Sequence, residues 1–282
     1  MDRIIKLPFA LEPYRKQIES TIKPYAQIQT QVCRDTSLWQ SKFLGRPYLP
    51  KHKSFPRTAE GDYLYLLAQI NFAEVPFLEG FPKEGILQIY LENEYGYGQD
   101  PEHLNRQNGF RLIYYPEPTL NESELTTNFE FMPSPWEDDS GRMPFEVYSK
   151  YLQKPNSCLY LTFQHKLMPM SVDDYQYNKT VGFDPFSLSS SPDDEKSRAV
   201  DFYCDTFHGH RLGGYPTFTQ RDPRRDLQKE EEPYILLLQI DSEDNGKIDI
   251  RWGDLGVCNF FIRQSALDRL DFSDVLYHWD CS

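Results

Sequence analysis

No run of about eighteen apolar residues occurs anywhere in the 282-residue chain, which excludes a hydropathic transmembrane helix. The first ten residues, Met1 to Ala10, carry charges and a proline where a secretory signal needs an unbroken apolar stretch, so the expected compartment is the cytoplasm. The five cysteines, at 33, 158, 204, 258 and 281, include no C-x-x-C pair, a usage that suits a reduced compartment rather than a disulfide framework. There is no G-x-S-x-G nucleophile elbow and no glycine-rich strand-to-helix turn for a phosphate. These absences remove the motif-based routes to an enzyme without removing enzymes as a class. The residues name no cofactor.

Positive charge is also short. Lys and Arg number 30 against 43 Asp and Glu, a net of -13. The deficit is uneven: Met1 to Arg57 hold eleven Lys or Arg and four Asp or Glu, a net of +7, so the remainder carries -20. An acidic body repels phosphate backbones, so nucleic acid is not expected as a partner, whereas a basic protein is. Aromatic residues make up 15% of the chain, enough to carry much of a core, and the length sits near the upper limit of one domain.

Leu11, Tyr14, Ile18, Ile22 and Tyr25 recur at spacings of three and four, which predicts an amphipathic helix from residue 12 to about 30, with Pro24 a candidate kink. Strands are expected at Tyr63 to Asn71, Gly109 to Tyr115, Asn128 to Met132, Cys158 to Phe163, Pro233 to Asp241, Val257 to Ile262 and Phe272 to Trp279. Helices are expected over Pro144 to Lys154 and from Asp193 to Phe207, with a short one at Ser265 to Asp268.

A repeat runs through this list. Tyr65-Leu-Leu-Ala-Gln-Ile-Asn71 aligns with Ile235-Leu-Leu-Leu-Gln-Ile-Asp241, and Gly85-Ile-Leu-Gln-Ile-Tyr90 with Gly256-Val-Cys-Asn-Phe-Phe261. Upstream, Phe43-Leu-Gly-Arg-Pro-Tyr48 aligns with Arg211-Leu-Gly-Gly-Tyr-Pro216. Order and spacing are kept, the mark of a duplicated segment. The expected architecture is a single compact α+β domain over 1–282, with largely antiparallel sheets from an internal duplication and peripheral helices. Its pseudo-repeats lie at about 42–92 and 210–263, joined through 110–209. The paired elements, together with Trp252-Gly-Asp-Leu-Gly256 and the later Phe260-Phe261-Ile262, resemble the YwqG-like family, a bacterial family catalogued as a domain of unknown function. The resemblance implies that α+β architecture. Genome context suggests that some relatives act as immunity proteins against toxins, and the family supplies no catalytic residue to carry over.

Gln69 and Gln239 have the most physical content, because an amide inside a buried strand must find partners for its donors and acceptor. They are expected either to tie the halves together, bonding each other or nearby backbone, or to floor a cleft at the junction with Asn71, Asp241, Trp252 and Asp254 around it. Asp241, Glu243, Asn245 and Gly246 open like a calcium loop, but Trp252 stands where the bidentate Glu belongs, and an acidic turn explains the same residues. Cys204, His208 and His210 are too few for a zinc site, and His165 is isolated. No metal site is therefore expected. The favoured function is a non-enzymatic protein-binding role, of immunity type in its most specific form. The alternative is an enzyme or a small-ligand or metal-binding protein that uses an acidic cleft between the repeats.

Overall fold

A computed structural model describes residues 5–33, 36–132, 143–145, 157–184, 203, 207–227, 232–245 and 247–282. Twelve strands are described: β1 (Lys23–Cys33), β2 (Lys42–Leu44), β3 (Tyr65–Asn71), β4 (Ile86–Leu91), β5 (Phe110–Tyr115), β6 (Cys158–Met168), β7 (Arg211–Gly213), β8 (Tyr234–Asp241), β9 (Glu243–Asp244), β10 (Asp249–Ile250), β11 (Val257–Arg263) and β12 (Val275–Asp280). The described helices are short: α1 (Arg15–Glu19), α2 (Tyr177–Val181) and α3 (Gln264–Asp268). The domain is thus mostly antiparallel sheet with few helices, more sheet-rich than the α+β class expected from the residues.

The largest departure is at the N-terminal end, where the helix expected to reach residue 30 stops at Glu19 and Lys23–Cys33 is a strand. Its residues alternate: Gln27, Gln29 and Gln31 fall between Ala26, Ile28, Thr30 and Val32, a period of two that wins over the weaker three-and-four spacing. Pro24, unable to donate inside a helix, sits at the strand's start. Asn128 to Met132 forms no strand, and the helices expected over Pro144–Lys154 and Asp193–Phe207 fall almost wholly outside the described residues.

Ten strands form one sheet in the order β12-β11-β8-β7-β1-β6-β2-β3-β4-β5, every neighbour antiparallel. At its middle β1 pairs with β6 along its whole length, from Lys23 opposite Met168 to Cys33 opposite Cys158. On either side the order reads alike: β2, β3, β4 and β5 beside β6, and β7, β8, β11 and β12 beside β1. The first strand of each half therefore lies against the second strand of the other.

The sheet curls until its ends meet, giving a nearly closed barrel. The Phe110 ring of β5 lies 5.0 Å from that of Tyr277 in β12. Backbone NH of Tyr277 donates to Leu104 O, and the Gln107 side chain donates to Phe272 O. These contacts cover part of the β5 and β12 edges, which limits their use as a template for another chain. The main core fills the interior with Phe43, Leu87, Phe110, Leu159, Leu238 and Phe260 among others, and a second core packs the N-terminal turns against Met168, Met170 and Tyr177.

The halves match in detail. Gln69 Oε1 accepts from Tyr48 N and its Nε2 donates to Leu38 O and Gln40 O. Gln239 Oε1 accepts from Thr217 N and its Nε2 donates to Gly209 O. Opposite them, Gln88 donates to Tyr48 O and Asn259 to Thr217 O. Buried Lys42 donates to Arg46 O as buried Arg211 does to Tyr215 O. The consecutive left-handed residues Leu44 and Gly45 answer to Gly213 and Gly214. That pairing sets Phe43 against Leu212, one residue away from the sequence alignment, in which the shared Leu-Gly drew the register. The two glutamines do not bond each other. Each ties a loop to its own half of the sheet.

Because both amides are fully buried, replacing either with leucine orphans several polar backbone groups at once. Gln69→Leu and Gln239→Leu are each expected to cost about 2–4 kcal/mol in urea unfolding. Tyr90→Phe, which removes the hydroxyl bonded to Gln88 Oε1, is expected to cost about 1–2 kcal/mol.

Candidate functional site

A groove of about 740 Å³ opens where β1 passes the corner between β8 and β9. Its walls are Ile28, Gln29 and Thr30 of β1, the His208-Gly209-His210 segment leading into β7, Asp241-Ser242-Glu243 at the β8–β9 corner, and Leu255. The local sequence explains the placement. Ile28 N donates to His210 O, which continues the β1–β7 ladder past Arg211 and holds the histidine segment beside β1. At Asp241 β8 ends, and Ser242 turns away, its NH and its hydroxyl both donating to Gly256 O.

Two carboxylate–imidazole pairs stand side by side there. Asp241 Oδ2 accepts from Gly209 N at 2.6 Å and contacts His208 Nδ1 at 3.3 Å, while its Oδ1 accepts from Ser242 N. Glu243 Oε2 contacts His210 Nε2 at 3.1 Å and accepts from Thr30 Oγ1 at 2.8 Å, and its Oε1 accepts from Asn245 Nδ2. His210 Nδ1 accepts from Asp241 N at 2.9 Å. A backbone NH can only donate, so Nδ1 is bare and the His210 proton sits on Nε2, aimed at Glu243. Burial works to raise both carboxyls, but the donors outweigh it: His208 and Gly209 N for Asp241, His210 and Thr30 for Glu243. Both acids therefore lie below their ordinary range and are ionised at neutral pH.

Of the six residues singled out in the sequence, only Asp241 lines the groove. Gln69 and Gln239 are buried anchors. Asn71 caps the turn after β3, its side chain accepting from Ala73 N. Trp252 is fully buried against Tyr97 and Trp279, and Asp254 is exposed on the turn beyond it, accepting from Leu255 N. The six do not converge. Asp249 is held by Arg251, and Gly246 and Cys204 fall outside the described residues. Among the described residues no three His, Cys, Asp or Glu side chains are placed to hold a metal ion. His165 is exposed on β6 opposite Ala26.

Gln29 and Thr30 were hidden by the helical reading of their segment. The signal for the rest was His-x-His just before β7 and Asp-x-Glu across the β8–β9 corner, two short polar pairs that the ladder and the turn bring to one wall. The other half makes the contrast plain. Asn71 N donates to Ser41 Oγ where Asp241 N donates to His210, and Phe72 N donates to Gly85 O where Ser242 N donates to Gly256 O. The framework matches, but Ser41, Phe72 and Ala73 bring neither imidazole nor carboxylate.

Half-buried Asp173, near enough to feel the charge of His208, is pushed up to about 6, chiefly by burial, against the pull of Phe218 N. Its folded value lies above its unfolded one, so folding favours the protonated form. The ionised carboxylate burdens the folded state above pH 6, and the burden fades as pH falls toward 4. Asp173→Asn is expected to raise stability at pH 8 by about 1–2 kcal/mol, with the gain gone at pH 4, as read by urea unfolding at both pH values.

A family described as a domain of unknown function (DUF1963) matches this chain over residues 41–281. No curated protein matches it. No described helix is long and apolar enough to cross a membrane.

Proposed function

We propose that this chain, which belongs to the DUF1963 family, is a non-enzymatic binding protein of the cytoplasm that captures a basic protein partner, with the groove over β1 as its point of contact. The observation that carries the reading is the groove itself. Two ionised carboxylates, Asp241 buried and Glu243 partly so, stand in its wall, and no lysine or arginine is among its lining residues. A net charge of -13 adds long-range attraction for a cationic partner, which speeds encounter and makes it sensitive to salt. Neutralisation of a basic toxin is the most specific form of this reading.

The matched hydrogen bonds of the two halves support, within the same reading, descent from one duplicated segment. A duplicated framework can keep its buried anchors in both copies while one copy gains a site. Here His210 and Glu243 of the second copy stand where the first has Ser41 and Ala73.

One observation favours a second reading, acid–base chemistry on a small ligand: Asp241 fixes the Nδ1 proton of His208 in the groove wall. If a ligand of the groove is turned over, His208→Gln is expected to lower kcat by about 10²–10⁴-fold. An unchanged kcat would reject the second reading.

The binding reading is tested by affinity capture from cell extract with wild type and Leu255→Arg, which places a cation at the exposed groove rim. The expected outcome is a basic protein retained by wild type, released by high salt and absent with Leu255→Arg. The same proteins recovered with both baits would overturn it.

A further inference from the structure

We infer that the groove is a socket for one lysine or arginine side chain of the partner, its alkyl stem lying along Leu255 and its charged head reaching Asp241 and Glu243. The inference rests on the reading above that the groove is the binding site, and it names the chemistry the site takes.

The wall has unused acceptor valences. Each carboxylate oxygen accepts up to two hydrogen bonds. Asp241 Oδ1 accepts one, from Ser242 N, and Glu243 Oε1 accepts one, from Asn245 Nδ2, among the described residues. Both acids stay ionised, and the donors already on them fix their positions, so they meet a cation without having to be ordered first. The His210 proton is committed to Glu243 and its other nitrogen to Asp241 N, so this imidazole is held neutral in the arrangement described and leaves the negative charge of the pair in place. An anion would meet two carboxylates and no lysine or arginine among the lining residues. A bare metal ion would have to displace the imidazoles and amides, since no three ligating side chains converge on one point among the described residues.

The apolar part of the wall points to an organic cation. Leu255 is 70% exposed and lines the groove beside the two carboxylates. A long basic side chain matches such a surface, with methylenes on the aliphatic rim and the head among acceptors. At the corresponding positions of the first half Phe72 and Ala73 replace Ser242 and Glu243, and the nearby Glu74 carboxylate accepts from Ser41 N.

The test is a titration followed by amide chemical shifts and by calorimetry. The probes are agmatine, the peptide acetyl-Gly-Arg-Gly-amide and inorganic phosphate, with wild type, Glu243→Gln and Gln29→Lys. Gln29 is exposed on β1, so lysine is tolerated there and places a competing ammonium in the groove. The expected result is saturable binding of agmatine and of the peptide, with shifts at Gly209, Asp241 and Ser242. Glu243→Gln and Gln29→Lys should each weaken it at least tenfold, and phosphate should not bind. If Glu243→Gln does not fold, Gln29→Lys decides alone. Binding of agmatine without the peptide would overturn the protein side chain as the source and point to a free amine. No saturable cation binding, equal binding in wild type and Gln29→Lys, or preference for phosphate would overturn the socket altogether. If the cations fail while Leu255→Arg still abolishes partner capture, the inference falls and the binding reading stands.

Discussion

The β1–β6 ladder is the constraint on which the rest of the structure depends. Eleven residues of β1 face eleven of β6, and these two strands are the only link between the parts of the sheet on either side among its strand pairings. Since each belongs by chain order to one half and lies against the other half's second strand, neither half has a complete sheet without the other. The curl that brings Phe110 onto Tyr277 closes the far side, so the middle and the ends of the sheet are both junctions between halves. A groove wall built from β1 and the β7–β9 region therefore requires the whole fold.

Buried polar groups set the local geometry around that frame. Leucine and isoleucine would fill the same volumes, but they would not say which loop belongs where. Gln69 and Gln239 do, since each bonds loop groups far away in sequence and so fixes how the preceding segment crosses the sheet. Desolvating an amide without partners costs about 1–3 kcal/mol, so a slipped loop carries a penalty that an apolar core would not impose. Opposite each of them, on the neighbouring strand, sits a buried cation, Lys42 in one half and Arg211 in the other. Arg211, lowered to about 10 chiefly by desolvation, donates to Tyr215 O, Gly209 O and the Met168 sulfur. Its donation to Gly209 O holds the segment that carries both groove histidines.

How far the residues disclose this differs by element. Strands β3, β4, β8 and β11 are legible because they are uniformly apolar runs broken by one polar residue and stopped by turn formers, and their likeness exposes the matched halves. β1 is not, because Leu11, Tyr14 and Ile18 do form turns, and the spacing carries on by accident into a segment whose glutamines already alternate. Periodicity is decided over a window, and here two periods overlap at Ile22 and Tyr25. The glutamine anchors are visible as an anomaly, an amide in a buried strand. What is not visible is that their partners are backbone groups of their own half, which depends on loop paths that no pattern records.

The site is harder to read for a physical reason that also bears on its use. Its chemistry comes from residues that look ordinary in sequence: a threonine and a glutamine on a strand, two histidines before a glycine-rich turn, and an acidic hairpin. Each has a bland explanation alone. Their significance arises from register, since Ile28 bonded to His210 and His210 bonded to Asp241 N bring three distant segments to one wall. In the first half the same two bonds are made by Leu161 with Ser41 and by Asn71 with the Ser41 hydroxyl. A serine hydroxyl is enough to satisfy that backbone NH, so stability does not require an imidazole there. Histidine at this position adds a second nitrogen that reaches Glu243, where desolvation opposes the charge in a partly buried wall and the His210 and Thr30 donors more than offset it. One half satisfies that backbone NH with a hydroxyl and the other with an imidazole, so the second nitrogen and the carboxylate it meets are what the second half adds to a shared framework.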